Sequence, residues 1–310
     1  MLSEFVNRGK YRRTKQVNKK LDGYTSRMAK PSTKPVFDDR VASILEYIGF
    51  GWVEGDSSHH EPEKLFEALE RYSPSKDTWI DKNDAHLQAG LKMAYKVFAR
   101  RKHHTLLDPL KNTDELWTAI DPSKSAGLPN LTSKRDDFGY AIDREQQVLA
   151  GIKAAAPCIA QKRSQLGGKE RLVWAYPLEM TLMEARFARP LVERFLNLRT
   201  TMGFGMMKWE LGALVDSISN NMPGETVALD YSKFDSTIPS FLIRQAFGIL
   251  ATWFDPADLE KYGWKNIINY FLYTPIVMPD GNLYTGKKHG VPSGSYFTQM
   301  IDSIVNTILL

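Results

Sequence analysis

An α+β fold is what this 310-residue chain predicts, and three observations carry that reading. Apolar residues recur at helical spacing in residues 41–47, 63–72, 86–101, 178–197, 208–220, 239–254 and 259–272. β-Rich runs at 158–162 and 171–176 flank Gly167-Gly168 and read as a hairpin; residues 275–286 read as a second, turning at Asp280-Gly281. A short run of β-formers and apolar residues, Thr226, Val227 and Leu229, reads as a buried strand that delivers Asp230 at its C-terminal end.

Composition sets the bounds. With 43% hydrophobic residues the chain can bury a sizeable core. Its formal net charge of +5 is a mild basic excess, compatible with a polyanionic partner without requiring one. Cys158 is the single cysteine, which excludes an internal disulfide and fits a reducing compartment. No apolar run approaches the roughly 18 residues of a membrane span. The basic N-terminus has no apolar stretch behind it, so it does not read as a secretory signal.

Residues 1–35 form a basic arm, with Arg8, Lys10, Arg12, Arg13, Lys15, Lys19 and Lys20 early and Arg27, Lys30 and Lys34 later, against Glu4 and Asp22. Such a segment either touches nucleic acid or is a solvated, partly disordered tail. His59-His60 and His103-His104 are adjacent pairs whose rings diverge, without a cysteine companion, and read as surface histidines rather than zinc ligands. Gly203-Phe204-Gly205 has Lys208 where a dinucleotide loop needs its third glycine, and no GxxxxGK[ST] stretch occurs, so those nucleotide folds are disfavoured. Ser125-Ala126-Gly127-Leu128-Pro129 is a turn between two helical stretches. Lys162, Arg163, Lys169 and Arg171 crowd the strands and tip of the first hairpin. Cations held there can neutralise a triphosphate and draw charge off a leaving pyrophosphate; edge strands also carry Lys to block aggregation. Pro190 predicts a kink or break in the 178–197 helix. Trp264, Tyr270, Phe271 and Tyr273 suit core packing better than base stacking.

The densest chemistry lies in residues 225–243, ETVALDYSKFDSTIPSFLI. Asp230 closes the strand, a turn through Tyr231-Ser232-Lys233-Phe234 presents Asp235, and Pro239 opens a helix. Two carboxylates five residues apart in a rigid turn suit a divalent metal and a ribose, although an aspartate before a helix is also a common N-cap. Residues 290–310, GVPSGSYFTQMIDSIVNTILL, are a Gly/Pro/Ser loop running into a helix. Ser293-Gly294 can expose backbone amides. Thr298, Asp302 and Asn306 recur at i, i+4 and i+8, a polar stripe on an otherwise apolar helix. It faces either a ligand cleft or solvent, since burial without partners is costly.

The order strand-Asp-x4-Asp followed by PSG-x3-T and a later Asn resembles motifs A and B of viral RNA-dependent RNA polymerases. The wording looks most like the partitivirus group of double-stranded RNA viruses, with picobirnavirus-like enzymes as near relatives. Ser125–Pro129 is similar to motif G and residues 157–177 to motif F, so four motifs stand in family order. The resemblance implies a right-hand polymerase fold with fingers, an incomplete palm and no thumb. It divides the chain into the basic arm (1–35), fingers with motifs G and F (36–222), palm with motif A (223–255), a fingers insertion (256–289) and palm with a truncated motif B (290–310).

The implied activity is template-directed nucleotidyl transfer by a two-metal mechanism with Mg2+ or Mn2+. Asp230 and the Tyr231 carbonyl are the implied metal ligands. Asp235 would accept a hydrogen bond from the ribose 2′-hydroxyl, which selects ribonucleotides because the deoxy analogue leaves an acceptor unpaired. Lys169, Arg171 and Lys162 are the implied nucleotide-binding cations. Ser293, Gly294, Thr298 and Asn306 would complete the nucleotide site, Thr298 by orienting Asp235. Ser125, Gly127 and Pro129 would line the template entrance. Many relatives have Asn where this chain has Asp302, and the partitivirus-like spacing assigns the ribose contact to Asn306 instead.

Implied partners are RNA template and product, nucleoside triphosphates and a viral capsid protein, with no membrane; the implied location is the host cytoplasm, inside a virion. Motif C, motif D and the thumb are expected beyond Leu310. The chain is therefore expected to be the N-terminal portion of a longer polymerase, inactive alone, with Ile308, Leu309 and Leu310 as core positions lacking partners. Two other readings predict different behaviour. A non-catalytic RNA-binding module would tolerate Asp230→Asn, and a metal-dependent phosphohydrolase would cleave nucleotides without template.

Overall fold

A computed structural model of the chain describes residues 5–35, 39–49, 57–73, 81–164, 170–198, 200–203, 205–221, 224 and 229–310. The basic N-terminal segment is folded rather than tail-like. β1 (Val6–Lys10) pairs antiparallel with Asn282–Thr285, the last strand of the chain (β7), through Val6↔Thr285 and Asn7↔Tyr284. α1 (Lys15–Met28) comes next, capped by Thr14, whose Oγ1 accepts from the Val17 N–H at 3.4 Å. Val17, Leu21, Tyr24 and Met28 form its buried stripe, and the Tyr24 hydroxyl donates to the Ala160 carbonyl. β2 (Ser32–Pro35) pairs with β3 (Ser57–His60), with α2 (Asp39–Tyr47) between them in the chain. His60 is buried rather than at the surface, with Nε2 2.9 Å from the Met28 carbonyl. Its place in a strand against α1 is what takes it inside.

α3 (Pro62–Glu70), α4 (Ala85–Phe98), α5 (Thr113–Thr118) and α6 (Lys134–Leu149) carry the helical periodicity of the first half. The expected hairpin is β4 (Cys158–Ser164) against β5 (Glu170–Ala175), in register from Ile159↔Ala175 to Ser164↔Glu170. Its tip, with Lys169, lies outside the described residues. α7 (Leu178–Leu196) runs continuously through Pro190. It is buried all round over its first three turns, and the polar side chains it carries inside are hydrogen-bonded. Arg186 makes a bidentate bond to Glu145 of α6 at 2.6 and 2.9 Å and also donates to the Leu110 carbonyl.

α8 (Lys208–Asn221) is solvent-facing, with no buried residue. Thr226 and Val227 of the expected strand lie outside the described residues. Leu229, the described end of that run, is exposed and in no strand, so it is not the buried position expected of it. α9 (Phe234–Thr237) is a single turn, and α10 (Ser240–Ala251) begins after Pro239 as expected. The 259–272 helix is two helices, α11 (Pro256–Lys261) and α12 (Trp264–Tyr273); Trp264 and Phe271 lie in the core. β6 (Ile276–Val277) and β7 form the second hairpin, and α13 (Thr298–Leu309) closes the chain.

Among the described residues the main sheet has the order β1-β7-β6-β4-β5. Residues 276–285 therefore dock on the first hairpin, with β6 parallel to β4. The core runs beneath this sheet, through α7, α10 and α12, to α13. A smaller core joins Leu116, Ala126 and Ala141 to Leu178 and Leu182 on α7. Ile308 is buried, with its backbone against Gly90 of α4, and so does have partners; Leu309 and Leu310 are exposed. Among the described residues no helix is long and apolar enough to cross a membrane.

Candidate functional site

Two chain segments about 60 residues apart are stapled together by backbone hydrogen bonds. The Val291 N–H donates to the Asp235 carbonyl at 2.6 Å, and the Gly290 N–H donates to the Ile238 carbonyl at 2.8 Å. The turn that carries Asp230 and Asp235 thus lies directly against the Ser293-Gly294 loop. Gly290 permits this closeness: at φ +76 a Cβ there would come within 2.6 Å of the Tyr72 ring and 3.1 Å of the Asp235 carbonyl oxygen. The loop is also fixed from its other side. The Trp174 N–H of β5 donates to the Ser293 carbonyl at 2.8 Å. Gly294, at φ +136, leaves room for the Trp174 carbonyl, which a Cβ would meet at 2.2 Å.

Asp230 is exposed, and the Tyr231 ring stacks on Phe234 at 5.0 Å. Lys233, in the left-handed region at φ +56, turns the chain into α9 and so presents Asp235, which is half-buried. Burial pushes the Asp235 carboxyl above its ordinary range; its own backbone N–H and the Arg171 guanidinium pull the other way. Arg171 is therefore close enough for its charge to act on Asp235. In the hairpin register Arg171 lies directly across from Arg163, both exposed. Like charges opposite each other on a strand pair destabilise it, so this pair suits a site whose occupant is an anion. Lys162 is opposite Leu172 and so sits on the other face of the hairpin from Arg171. Arg163, rather than Lys162, is the neighbour of Arg171.

The polar stripe of α13 is half-buried along its length, at Thr298, Asp302 and Asn306. Thr298 serves its own loop: Oγ1 is 3.1 Å from the Pro292 carbonyl and 3.0 Å from the Ser295 carbonyl. It closes the loop and shows no bond to Asp235, the role expected of it. Asp302 is the titratable member of the stripe. Burial, and then the Asp235 charge, push its carboxyl up to about 8, and its Oδ1 is buried with no hydrogen-bond partner. Tyr72 lies near both carboxyls. Its hydroxyl donates to the Val291 carbonyl at 3.2 Å, and burial followed by the Asp235 charge push it up.

Behind the loop are two buried ionisable groups that sequence reasoning missed. Glu184 of α7 accepts from Ser295 Oγ and from the Tyr296 N–H, both at 2.8 Å, fixing the entrance of α13; burial pushes its carboxyl up to about 8. Lys287 is 1% exposed, donates to the Phe271 carbonyl at 2.7 Å and the Leu272 carbonyl at 3.2 Å, and lies among the Tyr72, Trp174 and Phe271 rings. Burial drives its pKa well down. Little in the sequence marked Glu184, because α7 also carries Glu179, Arg186, Arg189, Glu193 and Arg194.

Ser125, Gly127 and Pro129 occupy a loop between α5 and α6, away from Asp235 in the chain but tied to the same scaffold. A Cβ on Gly127 would meet the Tyr176 carbonyl at 2.7 Å, and the Tyr296 hydroxyl reaches the Ala119 carbonyl at 2.6 Å. For a divalent ion, Asp230 and the Tyr231 carbonyl supply hard oxygen donors of the kind magnesium takes. Among the described residues no group of three or more His, Cys, Asp or Glu side chains is gathered to hold an ion. Magnesium is commonly held by one or two carboxylates with substrate phosphates and water completing the shell, which this donor set fits.

Residues 57–310 match the family described as viral RNA-dependent RNA polymerase. The RNA-directed RNA polymerase of Cryptosporidium parvum virus 1 (strain KSU-1) is 32% identical over 215 residues, covering 64% of this chain and 40% of that protein. The genome polyprotein of plum pox potyvirus (isolate NAT) is 23% identical over 201 residues, covering 58% of this chain and 6% of the polyprotein. Among solved structures, the insertion-loop deletion mutant of a human picobirnavirus RNA-dependent RNA polymerase superposes with a TM-score of 0.67 at 16% identity, over 94% of this chain and 64% of that one. The picobirnavirus enzyme without that deletion gives 0.64 at 16%, over 93% and 61%. At such identity the structural likeness establishes the fold, which is the α+β polymerase fold the sequence predicts. The chain spans 40% of the first relative's length and less than two thirds of either solved chain.

Proposed function

Because this chain belongs to the viral RNA-dependent RNA polymerase family, we propose that it carries the nucleotide-positioning part of a site for template-directed nucleotidyl transfer to an RNA 3′-hydroxyl. The observation that carries the reading is the pair of backbone hydrogen bonds holding the 230–235 turn against the 290–297 loop, beside Arg171. On this reading one nucleotide binds at that junction. Its triphosphate lies toward Arg163 and Arg171, whose facing charges it neutralises. Its ribose lies toward Asp235, a half-buried acceptor for the 2′-hydroxyl, which a deoxyribose would leave unpaired.

Asp302, rather than Asn306, is the stripe residue we assign to the sugar, since its Oδ1 is buried without a hydrogen-bond partner. Below about pH 8 it is protonated and can donate where Asp235 accepts. Ser293 and Gly294 hold the loop against β5 and set the distance between sugar and hairpin. Asp230 and the Tyr231 carbonyl would hold the Mg2+ or Mn2+ ions of a two-metal site. Such ions lower the pKa of the attacking hydroxyl and stabilise charge on the leaving pyrophosphate. RNA template, product strand and nucleoside triphosphates are the partners on this reading. The host cytoplasm, in a particle with capsid protein, is the place of action.

The test is RNA-templated incorporation of a labelled ribonucleotide by a polymerase carrying this chain. Asp230→Asn should abolish incorporation while leaving RNA binding intact. Activity surviving that change would favour a non-catalytic RNA-binding module, and template-independent release of phosphate would favour a phosphohydrolase.

A further inference from the structure

The segment that leads into the Ser-Gly loop is tethered to several elements in succession. His289 Nε2 lies 3.1 Å from the Arg71 carbonyl, and the Gly290 and Val291 N–H groups donate to the Ile238 and Asp235 carbonyls. The Tyr72 hydroxyl donates to the Val291 carbonyl, and the Trp174 N–H donates to that of Ser293. These bonds reach the turn after α3, the aspartate turn and β5. Lys287 adds α12. Its Nζ donates at 2.7 and 3.2 Å to the carbonyls of Phe271 and Leu272, in the last turn of that helix.

Carbonyls in a last turn lack intrahelical partners, so an amino group placed there is a helix cap. Capping alone does not account for Lys287. Thr274 already closes the same end, with Oγ1 2.6 Å from the Tyr270 carbonyl and 3.0 Å from that of Phe271. An amino group among ring faces is costly unless its N–H groups are used, and an apolar side chain could fill the space without that cost. The surroundings of Nζ point to a second role. It lies 6.0 Å from the Tyr72 and Trp174 centroids, and those two rings meet edge to face at 5.3 Å. Tyr72 and Trp174 are the residues that grip Val291 and Ser293. The amino group, fixed to the end of α12 on one side, supports on the other the two rings on which the loop rests.

We infer that Lys287 is a positioning residue: through Tyr72 and Trp174 it sets the distance of the Ser293-Gly294 loop from the Asp235 turn, without touching substrate. This rests on the reading of that junction as the nucleotide site.

Lys287→Met keeps the stem of the side chain and removes the amino group. In the 310-residue chain, amide exchange at Trp174 and Val291 should quicken about tenfold relative to amides of α6, the worth of one hydrogen bond, whereas a general loss of stability would quicken all of them alike. In a polymerase carrying this chain, nucleotide KM should rise by a similar factor while kcat stays within about twofold. Tyr72→Phe keeps the ring and removes only the bond to Val291, and it should move both readouts in the same direction. It tests the linkage even where Lys287→Met does not fold. The double variant should do no more than the stronger single change, because both act along one path. Thr274→Val removes the other cap of α12 and should leave loop exchange and nucleotide KM as in the parent.

Trp174 and Val291 amides that exchange no faster than those of α6 in Lys287→Met would overturn the proposal, whatever the polymerase does. So would an unmoved loop in Tyr72→Phe, independent effects that multiply in the double variant, or equal loosening in Thr274→Val, which would make Lys287 a helix cap only. If the loop loosens but nucleotide KM keeps its parent value, the loop does not hold the nucleotide. The reading of the junction then fails, and the role given to Lys287 fails with it.

Discussion

Gly294→Ala puts the junction itself under load. The added Cβ would sit 2.2 Å from the Trp174 carbonyl oxygen and 3.1 Å from its carbon, where ordinary contacts begin near 3.4 Å. Backbone occupies both sides, so no side chain can swing away; the loop must shift by about an ångström or more from β5. That shift breaks the Trp174 N–H bond to Ser293, now 2.8 Å, and leaving a buried donor unpaired costs about 1–3 kcal/mol. Holding alanine at φ +136 adds about 1–3 kcal/mol of backbone strain. The expected loss is therefore about 2–6 kcal/mol, read by urea unfolding of the variant beside the parent chain. Amide exchange at Trp174 reports whether the loop has left the strand. In a polymerase carrying this chain, nucleotide KM should rise, because the loop no longer sets the distance between sugar and hairpin. A variant within about 0.5 kcal/mol of the parent, with Trp174 still protected, would refute the reasoning.

Other perturbations separate the remaining roles. Glu184→Ala removes both acceptors at the entrance of α13 and should cost about 3–5 kcal/mol, whereas Glu184→Gln should stay within about 1 kcal/mol near pH 6, where the native side chain is neutral. Glu184 and Asp302 both keep their protons up to about pH 8 when folded, while the unfolded chain loses them near pH 4. The unfolded state thus binds fewer protons between those values, and stability should fall as pH rises by about 1.4 kcal/mol per unit for each group, then level off. Denaturant unfolding from pH 5 to 8 checks this; Asp302→Asn should flatten the slope by one proton, and an unaltered slope would contradict the placement. Arg171→Ala should stabilise the free hairpin slightly, by about 0.2–1 kcal/mol, through relief of its contact with Arg163. The same change should weaken nucleotide binding. Loss of both stability and affinity would mean that the two arginines serve the fold.

Much of this was legible because the relevant signals are local. The 158–176 hairpin, the proline opening α10 and the Gly/Ser loop ahead of α13 each come from a few consecutive residues. The order of the motifs then supplied the family. What stayed hidden is long-range. Nothing near Val6 indicates that its strand partner is Thr285, so the basic arm read as either a nucleic-acid contact or a solvated tail, not as a strand of the main sheet. Tyr72 sits at the end of a helical pattern with no mark of its contact to Val291. Lys287 stands in a polar stretch of sequence with no mark of its burial, which only the rings around it reveal. Asp302 was visible as a departure, but its meaning depends on a neighbour 67 residues earlier, Asp235.

Sugar discrimination tests most directly whether the aspartate turn and the Ser-Gly loop hold one ribonucleotide between them. The quantity to measure is the efficiency of ribo- against deoxyribonucleotide incorporation by a polymerase carrying this chain, in the parent and in Asp235→Ala. The parent should prefer the ribonucleotide, and the variant should lose about ten- to a hundredfold of that preference, the worth of one partly buried hydrogen bond. An undiminished preference in Asp235→Ala would show that the sugar lies elsewhere and that the site is wrongly drawn.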